Sequence, residues 1–228
     1  MKKAWNKKNI LTWIAFVVLM VAPWLVFFQP SPSSHDKNTI NPYPEPKDPA
    51  ASHIQKASDH YFYREFSKSA EHYRAAIAIY EQREDTHRVA VTYNSLGDLF
   101  VWANDPVEAQ KSYLLAAEHH AKIVDPLGQA DSLKKLADMY MKKENYPEAE
   151  KWYVQSLGLI VQGKPNRVLA SVHEGMGHLY WKSDRIPEAV ASFTEARQTF
   201  AALNYHMGVE HMTGVLNRLN RMPNTPAY

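Results

Sequence analysis

Histidines and carboxylates are the side chains that would carry chemistry in this chain, and their spacing argues against it. There are 11 histidines and no cysteine among the 228 residues. The missing cysteine excludes disulfides, thiolate metal sites and a lipid-modified cysteine. His173-Glu-Gly-Met-Gly-His178 resembles a zinc-protease motif at a glance. Metal chemistry on a helix needs histidines four apart, on one face. Here the separation is five, which turns the two side chains about 140° apart. His119 and His120, adjacent on a helix, point in different directions too, and the sequence suggests no second shell for a metal. No G-x-x-x-x-G-K-[ST], no G-x-S-x-G and no paired-carboxylate loop occurs. The expectation is a protein that is not an enzyme, with no metal and no cofactor.

Charge and hydropathy divide the chain before any element is placed. Lys2, Lys3, Lys7 and Lys8 supply four of the 26 basic residues, and no acid precedes Asp36. Without those four lysines the balance is 22 basic against 24 acidic residues. No concentrated basic patch of the kind that binds nucleic acid is present. From Ile10 to Phe28 the chain is apolar, broken only by Thr12 and Pro23. As a helix it would reach about 28 Å, close to the ~30 Å hydrocarbon core of a bilayer. Trp13 and Trp24 fall near its ends, where indole rings favour the interface. A cleaved signal peptide shares the lysine-rich start but should close on small residues. This segment closes on Trp24, Leu25, Val26, Phe27 and Phe28, with Ser31 and Ser33 as the only alternative for cleavage. Those flanks favour a retained anchor. Four lysines before the span, against Lys37 and Lys47 soon after it, place the N-terminus in the cytoplasm. The long C-terminal part then lies across the membrane, which in a Gram-negative bacterium is the periplasm. An organelle anchor would share the orientation and differ in the space reached.

Pro30, Pro32, Pro42, Pro44, Pro46 and Pro49 crowd the next stretch, from Gln29 to Ala50. They oppose regular helix and sheet and suit either a stiff polyproline II spacer or a disordered linker. The domain reading is a basic N-terminus over 1–9, a transmembrane helix over 10–28, a linker over 29–50, a folded part over 51–221 and a tail over 222–228.

The folded part repeats itself. Asn94-Ser-Leu-Gly-Asp-Leu-Phe100, Lys134-Lys-Leu-Ala-Asp-Met-Tyr140 and Glu174-Gly-Met-Gly-His-Leu-Tyr180 align at one constant shift, position 94 on 134 on 174. Leu96, Leu136 and Met176 coincide, as do the small residues Gly97, Ala137 and Gly177. Twelve positions on come Ala109, Ala149 and Ala189, then Tyr113, Tyr153 and Phe193 four further. Large, small and aromatic positions at this spacing make one stripe of a helix. Asp105-Pro-Val-Glu108 reads as a cap, a proline at the first helical position and a glutamate at the third. Asn145-Tyr-Pro-Glu148 and Arg185-Ile-Pro-Glu188 are looser versions. Asp125-Pro126 and Lys164-Pro165-Asn166 separate the units. The units fall near 51–88, 89–128, 129–168 and 169–206, with a closing helix over 207–221. The first helix of the first unit is degenerate, as a terminal repeat should be.

These small–aromatic–alanine–aromatic columns resemble the tetratricopeptide repeat (TPR), in a longer form than the usual unit of about 34 residues. The longer form is similar to the repeats of kinesin light chains and of bacterial Rap-type peptide receptors. The resemblance implies an all-α, right-handed solenoid of helical hairpins, here preceded by a single transmembrane helix. It also implies that first helices line a concave groove that holds a partner's peptide or helix. Positions three before, one beyond and four beyond the small residue would face it. Those are Asn94, Asp98 and Val101; Lys134, Asp138 and Met141; and Glu174, His178 and Trp181, with Trp102, Lys142 and Lys182 on the rim. The same positions also suit an ordinary solvated face. Asp98 and Asp138 stand where a clamp for a C-terminal carboxylate would use asparagine, which disfavours that clamp. The tyrosines and Trp152 fall mainly on packing columns.

The function expected is a membrane-anchored scaffold or adaptor that binds protein partners in assembling a cell-envelope complex, located in a bacterial inner membrane. Two alternatives stand beside it. One is a periplasmic chaperone-like factor holding secreted or apocytochrome clients. The other is an accessory structural subunit of a larger membrane complex.

Overall fold

A computed structural model of the chain describes residues 47–160 and 164–221. The expected transmembrane helix, the N-terminus before it, the spacer up to residue 46 and the tail from 222 lie outside the described residues. Among the described residues there are nine helices and no strand. They are α1 (Pro49–Phe62), α2 (Phe66–Gln82), α3 (Thr86–Trp102), α4 (Pro106–Lys122), α5 (Pro126–Lys142), α6 (Tyr146–Leu159), α7 (Arg167–Lys182), α8 (Ile186–Ala202) and α9 (His206–Leu219). Each helix packs on its neighbours in sequence, and the first helices of successive hairpins also touch, α3 on α5 and α5 on α7.

Each repeat is two copies of a smaller module, a helix followed by a tight turn. Arg64, Glu84, Asn104, Val124, Glu144, Asp184 and Asn204 all have positive φ, between 54° and 59°. They mark the end of α1, α2, α3, α4, α5, α7 and α8. At Glu84 the turn is closed by two bonds. Glu84 N–H donates to the Glu81 carbonyl at 3.0 Å, and Asp85 N–H donates to the Tyr80 carbonyl at 2.9 Å. This left-handed helix end satisfies carbonyls that the helix itself leaves open. The residue that follows each turn then opens the next helix. The carboxylates of Asp85, Asp105 and Asp125 accept the N–H three positions on, at 3.1, 3.1 and 2.9 Å, and Asn145 does so at 3.4 Å. Pro49 is the first residue of α1, capped by Asp48, so the last proline of the spacer belongs to the helix. Arg185 caps with no side-chain bond; its guanidinium instead holds Glu188 at 3.0 Å and Glu150 at 2.9 Å.

Small residues set how closely the helices approach. A Cβ added at Gly97 would meet the Tyr113 ring at 2.5 Å, and one at Gly177 would meet the Phe193 ring at 2.6 Å. Ala109, Ala149 and Ala189 are fully buried beside them. The buried side chains fall into three clusters strung along the stack, as expected when each unit touches only its neighbours. The closing helix α9 buries Met212, Val215, Leu216 and Leu219 and exposes Glu210, Asn217 and Arg218. Among the described residues that outer face is polar and exposed.

Candidate protein-binding groove

The first helices α1, α3, α5 and α7 line a hollow of about 580 Å³. Tyr61 comes from α1, and Asp98, Val101 and Trp102 from α3. Asp131, Lys134, Lys135, Asp138, Met139, Met141 and Lys142 come from α5, and Gly175 and His178 from α7. Among the described residues the second helices contribute Tyr113 and Tyr153, which rise from beneath.

Two polar clusters form the floor, one repeat apart. Tyr113 O–H donates to Asp98 Oδ1 at 2.7 Å, and Lys135 Nζ donates to Asp98 Oδ2 at 2.8 Å. Tyr153 O–H donates to Asp138 Oδ1 at 2.5 Å, and Lys134 Nζ pairs with Asp138 Oδ2 at 2.8 Å. Burial, then the neighbouring carboxylate, pushes both phenols far above the usual tyrosine range, so each remains a donor. Burial works to lower the Lys134 pKa, but Asp138, with Asp131 and Glu174, outweighs it and holds the ammonium charged. In the next repeat both members of the pair change together. Aspartate becomes His178 and tyrosine becomes Phe193, and the rings meet edge-on at 4.9 Å. Burial there keeps the His178 pKa below its usual value. A hydrogen bond to a carboxylate has been exchanged for an aromatic contact without changing the helix register.

Aromatic residues occupy one end of the hollow. Trp102 is 61% exposed, Tyr61 meets it edge-on at 6.5 Å, and Lys142 Nζ lies 5.9 Å from the indole. Trp181, beyond the other end, stacks on His178 at 6.4 Å.

The residues expected on this face are placed as follows. Asp98, Val101, Trp102, Lys134, Asp138, Met141, Lys142 and His178 line the hollow. Asn94 does not. It is buried where α3 meets α5, and its Nδ2 donates to Ser132 Oγ at 3.0 Å. Its Oδ1 has no hydrogen-bond partner. Glu174, Trp181 and Lys182 lie beyond the lining; Glu174 approaches His211 of α9 at 3.5 Å. Tyr61, Asp131, Lys135, Gly175 and the two phenol hydroxyls were not expected there. Tyr61 had a signal, because it stands one full repeat before Val101. Gly175 had none: it admits the Tyr153 ring, which a Cβ would meet at 2.6 Å. A second hollow, about 270 Å³, lies between α2, α3 and α4 and includes Arg74, Tyr93, Glu108 and Lys111.

Among the described residues no three histidines or carboxylates gather as a metal site, and no helix is long and apolar enough to cross a membrane.

Two family models match the chain. The model described as Tetratricopeptide repeat covers residues 128–202. The model described as Soluble NSF attachment protein, SNAP covers residues 40–158, just over half of the chain. The chain belongs to this family of tetratricopeptide-type repeats. No curated protein matches it significantly. Among solved structures, its fold is similar to that of BtubC (BKLC) from P. vanneervenii. That likeness has a TM-score of 0.54 at 18% identity and covers 78% of this chain and 85% of the other. The apo form of RapI is similar with a TM-score of 0.64 at 13% identity, over 75% of this chain and 47% of RapI. At such identities the likeness is one of fold. The tetratricopeptide-type stack thus accounts for the hairpins and the first-helix groove.

Proposed function

We propose that this protein is a non-catalytic scaffold that captures a segment of a protein partner in the groove lined by α1, α3, α5 and α7. The observation that carries the reading is Trp102. With Tyr61 edge-on at 6.5 Å, an indole 61% exposed at the mouth of a hollow of about 580 Å³ forms an aromatic patch of the kind that marks an interaction site. Aromatic anchors in such pockets commonly dominate binding energy. The apolar segment 10–28 would anchor the chain in a bacterial inner membrane, with the N-terminus cytoplasmic and the repeats periplasmic. Both partners would then share one membrane, and effective concentration would strengthen modest contacts. The role that fits is organisation or assembly of a cell-envelope complex.

A photo-activated cross-linking residue in place of Met141, in the groove, should capture a partner in native membranes. The same residue in place of Lys111, on the second hollow, should not. Capture from position 111 alone would move the site to the second hollow. One stoichiometric partner favours a scaffold or subunit, and a spread of unfolded clients favours the chaperone-like alternative.

A further inference from the structure

Three imidazoles meet where α1 packs on α2. His53 and His60 stand two turns apart on one face of α1. The His72 ring of α2 meets both, each at 5.2 Å between ring centroids. All three residues are half-buried. His53 Nδ1 and His72 Nδ1 are hydrogen-bonded at 3.0 Å. Such a bond needs one ring nitrogen that carries a proton and one that is bare. Two neutral rings in opposite tautomers meet that need, and so does a pair with one ring charged. A second proton does not: it sets two N–H groups head to head and two like charges in contact. Among the described residues no third ligand joins the pair to make a metal site, so the variable at this contact is the proton.

The surroundings work against that second proton. Burial, then His53, His60 and Lys56 of α1, hold the His72 pKa below its usual value, and Glu71 of α2 opposes them. Glu65, in the turn between the helices, is already shared by His60 at 2.5 Å and Lys68 at 2.9 Å. Little else fastens α1. It packs chiefly on α2 and buries two alanines, Ala50 and Ala57, where α3 buries Val89, Leu96 and Leu99 among others. Ser69 Oγ donates to the Ala57 carbonyl at 2.7 Å, and Asp48 pairs with Arg83 at 2.7 Å. Neither contact titrates near neutral pH, because the Arg83 hydrogen bond holds the Asp48 carboxyl below the usual carboxylate range. A terminal element with few buried contacts opens at a lower cost than the whole fold. Opening here would take Tyr61 from the groove and uncover Ala70 and Ile77, which share a cluster with Ala50.

We propose that the His53–His72 contact is a proton-counting clasp: it fastens α1 to α2 while the pair holds at most one proton, and the second proton releases α1 from a stack that otherwise stays folded. The clasp belongs to the first hairpin and holds whatever the groove binds. The test is hydrogen–deuterium exchange on the full-length chain in detergent, read by peptide at about pH 7.5 and about pH 5.5, on either side of the usual histidine range. Rates are corrected for the intrinsic effect of pH. Peptides from α1 should lose protection by about tenfold or more at the lower pH, while those from α5 and α6 keep theirs. His53→Gln keeps a hydrogen-bonding amide beside His72 but takes up no proton, and α1 of that variant should stay protected at the lower pH. If His53→Gln already loosens α1 at the higher pH, His72→Gln decides by the same comparison. Unchanged α1 protection in the natural chain overturns the clasp. So does a loss spread equally over α1, α5 and α6, which is global acid unfolding. An α1 loss in the deciding glutamine variant equal to that of the natural chain overturns it as well.

Discussion

The floor at Asp138 and the floor one repeat further on differ in both members of a pair. Tyr153 donates to Asp138, while Phe193 at the equivalent position meets His178 through its ring. The pair, not the aspartate alone, is the unit that matters. Tyr153→Phe would leave one Asp138 oxygen without its donor in a partly buried site, although Lys134 still compensates the charge. A hydrogen bond to a charged group contributes about 1.5–3 kcal/mol. With Lys134 in place, the loss should sit near the lower end, about 1–2 kcal/mol, read as a lower urea midpoint with unchanged slope. An unchanged midpoint would show that the phenol only fills space. In the sequence the aspartates read as groove residues and the tyrosines as packing residues. Both readings describe where the side chains are, and neither contains the bond that joins them across two helices.

At the scale of the element, the repeating object is a helix of about five turns ended by one left-handed residue. Most of those closing residues are polar, and Asn104 and Asn204 suit the conformation. Val124, at φ 54°, does not, because a β-branched side chain is the least tolerant of positive φ. Its side chain is 86% exposed and gains little from packing. Val124→Asn should stabilise the chain by about 1 kcal/mol, within the usual cost of a left-handed L-residue. A rise in melting temperature would show it, and a fall would mean that exposed Val124, with Ile123 and Leu127, is held by something other than water. The helix starts at Asp105 and Asn145 were legible because cap and proline chemistry is local, whereas Asp125, read as a break between units, caps a helix as well. The helix ends were not, since no glycine marks any of them. Arg64, Glu84 and Val124 hold the left-handed turn without the residue type that would announce it.

At the scale of the whole stack, burial sets a pH dependence. His72, His119, His173 and His178 all have lowered pKa values, with burial the largest cause in each. For His72, the neighbouring His53, His60 and Lys56 add to the effect and Glu71 opposes it. Glu195 opposes it for His173, and Glu174 for His178. The unfolded chain takes up protons at these positions near pH 6.5, while the folded chain stays neutral until lower pH. Their contribution is therefore complete above about pH 6.5 and is lost as pH falls through the folded values. Melting temperature should be level from about pH 8 to 7 and drop from about pH 7 to 5. A level profile across that lower range would show these rings to be solvated in the folded state.

The sequence by itself determined the repeat. Its period, the small and aromatic columns, the helix starts and the absence of catalytic spacing all follow from residue types whose placement on a helix is known in advance. Tertiary structure decided which of those residues share the groove. Asn94 sank between α3 and α5, Tyr61 of the degenerate first unit joined the aromatic end, and Lys135 crossed to Asp98. These outcomes depend on how far and at what angle each hairpin stacks on the next. That stacking is set by contacts between side chains nearly a full repeat apart, and no local pattern encodes it.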